Sequence, residues 1–362
     1  MDIRNEVLTR NSIRDAFTAG YSFLVGVETE FTLLKSTEPE IVPVDYHDWS
    51  RSNATLAGSV GSKVLEEIAD SLLTAGIELE MYHAEAGPGQ YEVVAGAMEP
   101  LEAADALVFT RETIYNVANK HGCKATFAPR IFDNTCQYGF MEPRMKLLTQ
   151  CSGGNSAHHH ISIHSNEKHK SSSPSEIAPT LNHFERSFLQ SLLDNIHALV
   201  SLTLPTAASY ARVADGIWSG GTWVCWGNDN KEVPIRLCGS PSSHHFEVKC
   251  IDGTSNPYLV MAGIVGAGMV GVKRGQDLTM RACDTMAYKL SRQERESLGI
   301  TNNLPRTIAE GRESLDSCWE LKGVLGEEFV ETYLAVNRVS LHRTYISGFS
   351  AHLDLARNLK RF

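Results

Sequence analysis

Two carboxylates, Glu28 and Glu30, stand two residues apart in the segment YSFLVGVETEFTLL. Alternate side chains of an extended chain leave the same face, so the pair makes either a repulsive surface feature or one side of a cation site. Taken alone, an E-x-E pair is more often an ordinary solvated strand. A second acidic element runs from His83 to Glu92 (HAEAGPGQYE) and places Glu85 and Glu92 on either side of a Gly-Pro-Gly turn. By turn composition it too can be a hairpin with incidental acids. A third, Gly153 to Ser162 (GGNSAHHHIS), puts His158, His160 and Ser162 on one face of an extended chain and turns His159 to the other. Its paired glycines, Gly153 and Gly154, leave room for a ligand close to the backbone. The fourth, His245-Phe246-Glu247-Val248-Lys249, again puts Glu247 and Lys249 on a common strand face. Three successive histidines also suit zinc, but the neighbouring acids favour a hard, oxygen-liganded cation such as Mg²⁺ or Mn²⁺.

The elements that must position these groups follow from periodicity. Residues 4–19 carry Leu8, Ile13 and Phe17 near helical spacing and stop at Gly20, which predicts a helix followed by the Glu28/Glu30 strand. Residues 60–75 place Val64, Ile68 and Leu72 on one helical face before Gly76, and the following segment reads as two strands about the Gly-Pro-Gly turn. A helix over about 102–121 ends at Gly122, and a Ser- and Pro-rich loop is expected over 165–179. Phe184, Phe188, Leu192 and Ile196 then form an i, i+4 series. Asn256-Pro257 has the chemistry of an N-cap followed by proline in the first turn. From about 275 to the end the pattern is mostly amphipathic helix, and no internal repeat stands out.

Composition bounds the classes of function. A chain of 362 residues with 33 basic and 43 acidic side chains, net charge -10, disfavours nucleic acid or an anionic membrane as a general partner. The longest uncharged apolar run, Pro257 to Val272, is short for a bilayer span and reads as a buried helix. The start, MDIRNEVLTR, lacks the apolar stretch of a secretory signal. Eight cysteines without a C-x-x-C pair are expected to be reduced thiols, which fits a cytoplasmic protein.

Taken in order, the four motifs resemble those of the glutamine synthetase family over essentially the whole chain. Glu28 and Glu30 resemble its strand E-x-E, His83 to Glu92 its H-x-E and Q-x-E pair, Gly153 to Ser162 its H-x-H-x-S segment, and Asp252 to Tyr258 its D-x-x-x-N-P-Y stretch. The resemblance implies an α+β catalytic domain over 1–362, a curved and mainly antiparallel sheet flanked by helices. It implies two cations, one held by Glu30, Glu85 and Glu92 and the other by Glu28, His158 and Glu247. ATP would lie near His160, Ser162 and His245, with Arg212, Lys231 and Arg236 acting on the acyl substrate and phosphates. Gly154, Trp218 and Lys249 would line the substrate site. The implied reaction is amide formation through an acyl phosphate, by a homo-oligomer acting on a small acid and an amine.

Departures from the family pattern sharpen that expectation. The family's small N-terminal β-grasp domain is expected to be absent, so a familiar double-ring assembly and ordinary ammonia chemistry are not expected to carry over. Trp218 stands where glutamine-forming members carry a glutamate that helps deprotonate ammonium, and an indole cannot act as that base. Lys231 and Lys249 replace arginines, keeping charge but losing the bidentate fork. Gly153 replaces a substrate-contacting asparagine. The Y-x-R-x-A-D-G-x-W-x-G-G pattern from Tyr210 is similar to that of the glutamine-synthetase-like domain of fungal FluG-type proteins. The expected activity is therefore joining glutamate or a related acid to an organic amine. The alternatives are a true glutamine synthetase using ammonia and a non-catalytic structural or signalling relative.

Overall fold

The computed structural model describes residues 3–46, 55–131, 154–166 and 175–346. Helix α1 (Ile3–Thr18) leads into β1 (Tyr21–Ser36), the longest strand. There follow β2 (Val42–Pro43), α2 (Val60–Thr74), β3 (Leu79–Ala84), β4 (Gln90–Met98), α3 (Pro100–Lys120) and β5 (Lys124–Thr126). The central part comprises β6 (His159–Ser165), α4 (His183–Thr203), α5 (Ala207–Arg212), β7 (Trp226–Asn228), β8 (Ile235–Cys238) and β9 (His245–Val248). The last elements are α6 (Pro257–Arg274), α7 (Arg292–Leu298), α8 (Ile308–Ser317), α9 (Trp319–Leu325) and α10 (Glu327–Ile346).

The strands form one sheet in the order β3-β4-β1-β6-β9-β8-β7, with β2 and β5 also pairing with β1. Every pairing is antiparallel except β7 with β8, so the expected α+β, mainly antiparallel architecture is present. The parallel β7–β8 pair was not legible in the sequence, because each strand is too short to show alternation. The region after residue 275 is less helical than expected. Residues 276–291 are irregular apart from a 3₁₀ turn at Ala287–Lys289, and the helices resume with α7. Much of the expected surface loop over 165–179 lies outside the described residues, as does Gly153.

Strand β1 organises both faces. Its odd-numbered side chains Phe23, Val25, Val27, Phe31 and Leu33 are all buried, while Glu28 and Glu30 project from the opposite side. The first three join a core built with α3, α4 and α6; Phe31 and Leu33 join a second core with Val64, Leu65, Ile68 and Leu72 of α2. The Phe188 ring of α4 lies 5.5 Å from Phe23 and 6.1 Å from Phe246, tying β1 and β9 to one helix. Burial of each such ring contributes on the order of 2–3 kcal/mol. No helix among the described residues is long and apolar enough to cross a membrane.

The Gly- and Ala-rich run is the buried helix that its composition predicts. Asn256 caps α6 by accepting hydrogen bonds from the N–H groups of Tyr258 and Leu259. Small residues let α6 approach α4 closely: Ser191 donates to the carbonyl of Ala267 at 2.6 Å, and a Cβ at Gly271 would stand 2.3 Å from the Ser187 carbonyl oxygen. Gly271→Ala is therefore expected to destabilise the fold by about 1–2 kcal/mol, because overlap with rigid backbone outweighs the ~1 kcal/mol gain in helix propensity. Gly323→Ala in α9, where a Cβ meets nothing within 4 Å, is expected to be neutral or stabilising. Urea denaturation midpoints of the two variants check the contrast; equal shifts would show that the α4–α6 approach is not tight.

Candidate functional site

Strand register brings the four motifs into a continuous patch. Glu30 stands opposite Glu92 on β4, and Glu92 stands opposite His83 on β3. On the other side of β1, the N–H groups of Glu28 and Glu30 donate to the carbonyls of His158 and Ser156. His160 stands opposite Glu247 on β9, and Glu247 opposite Arg236 on β8. Residues more than 200 positions apart thus share one sheet face. A cavity of about 590 Å³ opens on that face, lined by Glu28, Glu30, Glu85, Glu92, His158 and Glu247 together with Trp218, Lys231, Arg236 and Lys249.

The acidic groups divide into two halves with opposite electrostatics. On the β3–β4 side, burial together with the charges of Glu30 and Glu92 pushes the Glu85 carboxyl up to about 7. Glu92 also rises to about 7, from burial and from the charges of Glu28 and Glu30, although a hydrogen bond from His83 opposes the shift. His83 lies 3.2 Å from Glu92 and 3.6 Å from Glu85, and its bond to Glu92 lifts the ring to about 9 against the effect of burial. On the β6–β9 side, burial would raise Glu28 and Glu247, but compensating partners win and hold both below the usual carboxylate range. The Nδ1 of His158 lies 2.8 Å from Glu28 and 3.1 Å from Glu247, and His160 Nε2 lies 2.9 Å from Glu28. Lys249 donates to Glu247 at 3.0 Å, and the Arg236 guanidinium also donates to it.

A divalent cation fits this donor set. Glu30 and Glu92 are directly opposed like charges, both buried, an arrangement that is destabilising without a compensating positive charge. The buried Nε2 of His158 has no hydrogen-bond partner among the described residues. Five carboxylates and one imidazole are the ligands of Mg²⁺ or Mn²⁺ rather than of a soft ion. Of the two expected triads, one has His158 bonded to both Glu28 and Glu247, while the three ligand atoms that gather within 4.8 Å are those of Glu28, His160 and Glu247. In the other, Glu85 and Glu92 gather with His83, while both Glu30 oxygens are engaged by the Gln90 amide and by the Ser156 N–H and hydroxyl.

The remaining predicted residues separate by position. Lys231, Arg236, Lys249 and Trp218 line the cavity, whereas His160 and His245, with ring centroids 5.1 Å apart, are not among its lining residues. Ser162 bonds to His164 and does not line the cavity. Arg212 does not line it either: it is 1% exposed and donates to the carbonyls of Lys249 and Ile251, bracing the chain after β9 from behind. Gly154 packs on that brace, since a Cβ there would collide with the Pro129 carbonyl and the Arg212 side chain. The close approach that this glycine permits is to the chain itself. His159 is turned away from the cluster as alternation predicts, 1% exposed, and burial pushes its ring down to about 3.

Two features escaped the sequence reading. His83 was visible in the H-x-E motif but had no role there, although it shares a strand face with Glu85. Glu232 gave no signal. Its buried carboxylate accepts the N–H groups of Gly216 at 2.8 Å and Trp218 at 2.5 Å, fixing Trp218 at φ 60° with the indole half exposed to the cavity. A non-glycine residue in that region costs about 1–3 kcal/mol, which the doubly bonded carboxylate offsets. The Lys231 ammonium lies 5.7 Å from the indole centroid.

Glu247→Ala and Glu30→Ala are expected to lower metal-dependent ATP turnover by roughly 10²-fold or more and also to lower the thermal midpoint without metal, since the first strands Lys249, Arg236 and His158 and the second strands the donors of Gln90 and Ser156. His159→Ala is expected to spare turnover. It vacates a buried site and removes the hydrogen bond to the Ala157 carbonyl, so it lowers the thermal midpoint and leaves the metal dependence of turnover intact. Turnover measured against metal concentration, beside melting curves, separates the two; equal turnover in the three variants would refute the site.

Residues 4–348 match the family described as glutamine synthetase, catalytic domain. The chain is 36% identical over 335 residues to protein fluG of Emericella nidulans, a match covering 91% of this chain and 34% of that protein. It is 27% identical over 295 residues to gamma-glutamylpolyamine synthetase GlnA3 of Streptomyces coelicolor, covering 77% of this chain and 57% of that protein. The chain thus spans about a third of the first relative and over half of the second. Among solved structures, a GmaS/ADP complex superimposes with a TM-score of 0.77 at 22% identity, covering 96% of this chain and 75% of that one, a likeness of fold. With the motif order, the sheet register and the family match in agreement, the chain belongs to the glutamine synthetase family through its catalytic domain.

Proposed function

We propose that the protein is an ATP-dependent ligase that joins a γ-glutamyl or related carboxylate to an organic amine through an acyl phosphate. The observation that carries this reading is that the acid cluster, three cationic side chains and Trp218 all face one cavity. A carboxylate oxygen attacks the γ-phosphorus of ATP and ADP leaves; the amine nitrogen then attacks the acyl carbon and phosphate leaves with the bonding pair. Divalent ions, when bound, neutralise charge on the transferring phosphoryl group. Glu28, His158 and Glu247 would hold one, and Glu85 and Glu92, with Glu30 behind them, the other. Arg236 and Lys249, already drawn to Glu247, would offer positive charge to phosphate oxygens as negative charge develops on them. Lys231 supplies a third positive charge at the cavity wall.

Acceptor choice falls to the Trp218 wall. No carboxylate stands at this position to take an ammonium proton, and the proton of the attacking amine leaves with the departing phosphate. With Lys231 near the ring, the indole favours the hydrocarbon part of an amine over a second cation. The name of the Streptomyces relative, a gamma-glutamylpolyamine synthetase, supports an amine larger than ammonia.

With saturating ATP, Mg²⁺ and glutamate, product formation from a panel of primary amines and polyamines is expected to exceed that from ammonium in kcat/KM. Trp218→Ala is expected to raise KM for the preferred amine by roughly 2- to 30-fold, the equivalent of losing an aromatic contact of about 0.5–2 kcal/mol. Ammonium outperforming every organic amine would refute the acceptor assignment. Absence of metal-dependent ATP turnover across acids and amines would refute the ligase reading and leave the non-catalytic alternative.

A further inference from the structure

Beside the hard-cation cluster lies a second group of donors with different chemistry. Cys238 on β8 and His245 on β9 are register partners, and His160 on β6 faces them across β9. Their ligand atoms all lie within 4.8 Å of one another. In a tetrahedral zinc site, bond lengths place such atoms about 3.4–3.6 Å apart, a gap that small side-chain rotations close. We propose that His160, Cys238 and His245 form a binding site for a soft divalent cation of the zinc class, adjoining the carboxylate cluster, since His160 Nε2 lies 2.9 Å from Glu28 and Cys238 Sγ 4.0 Å from Glu247.

The hydrogen bonds prepare both imidazoles for this. The Nδ1 of His245 lies 3.2 Å from the Ser243 carbonyl, which can only accept, so Nδ1 carries the proton and Nε2 of the neutral ring keeps its lone pair. The Nε2 of His160 lies 2.9 Å from the Glu28 carboxylate, which likewise accepts, so Nδ1 is the nitrogen left to meet an ion. An imidazole that gives one N–H to a carboxylate or carbonyl while its other nitrogen takes a metal is the arrangement that orients histidine ligands. Cys238 is a free, half-buried thiol, and it would lose its proton on binding. A thiolate with two imidazoles selects zinc over magnesium and leaves a fourth position open. The side chains share a face by the same alternation that builds the main cluster: Cys238 with Arg236, His245 with Glu247, and His160 with His158.

The site is tested by titrating Co²⁺ into the full chain in excess Mg²⁺, which occupies the carboxylates. One equivalent of cobalt is expected to give visible tetrahedral d–d bands and a near-ultraviolet thiolate-to-cobalt charge-transfer band, both abolished by Zn²⁺. Cys238→Ser, a near-isosteric change, is expected to lose the charge-transfer band, and His245→Ala to weaken Co²⁺ and Zn²⁺ at least about tenfold. Melting curves without metal establish that both variants fold. The proposal is overturned if the folded wild type shows no charge-transfer band, if Cys238→Ser retains it, or if His245→Ala binds both ions as the wild type does.

Discussion

Glu30 and Glu92 face each other across adjacent strands with both side chains buried, and Glu28 and Glu85 stand close by. Four carboxylates held this closely are mutually repulsive, and burial removes the water that would screen them. The arrangement persists because the opposite face of β1 is locked into the core: slipping the register by one residue would drive Phe23, Val25 and Val27 into the cavity and the glutamates into the apolar layer. Stability is thus supplied on one side of a strand and used on the other. The positive charge the cluster demands is met in part by His83, Lys249 and Arg236.

That asymmetry extends to the two halves of the cluster. The β6–β9 half surrounds Glu28 and Glu247 with imidazole, ammonium and guanidinium partners, so its carboxylates remain charged. In the β3–β4 half, burial and the neighbouring carboxylates raise Glu85 and Glu92, and the counter-charge of His83 opposes the rise without cancelling it. Were divalent ions to bind as proposed, the two halves would hold them with unlike affinity, since a protonated ligand must release its proton before it coordinates.

The Trp218 wall of the cavity depends on a different constraint. Trp218 adopts a left-handed backbone conformation that its side chain does not favour, and the Glu232 carboxylate holds it there by bonding two N–H groups of the same turn. Asp215 closes the other end of the segment by accepting from the N–H and hydroxyl of Thr222. A rigid loop presents the indole at a fixed place at little conformational cost on binding.

Much of this was legible from residue types and spacing. Period-two alternation put Glu28 with Glu30 and set His159 apart from His158 and His160; helical spacing ended by Gly20, Gly76 and Gly122 placed the first three helices; Asn256-Pro257 marked the start of the buried one. These are local properties, fixed by strand and helix geometry whatever surrounds them. The identity of partners across strands is not local. Nothing in the spacing of Arg212 or Gly154 separates a substrate contact from a brace behind the sheet, and nothing about Glu232 distinguishes it from a surface acid. Nor does the chain order bring Cys238 and His245 beside His160. Those assignments belong to strand register and to the packing of loops on the sheet, long-range pairings that the tertiary structure alone decides.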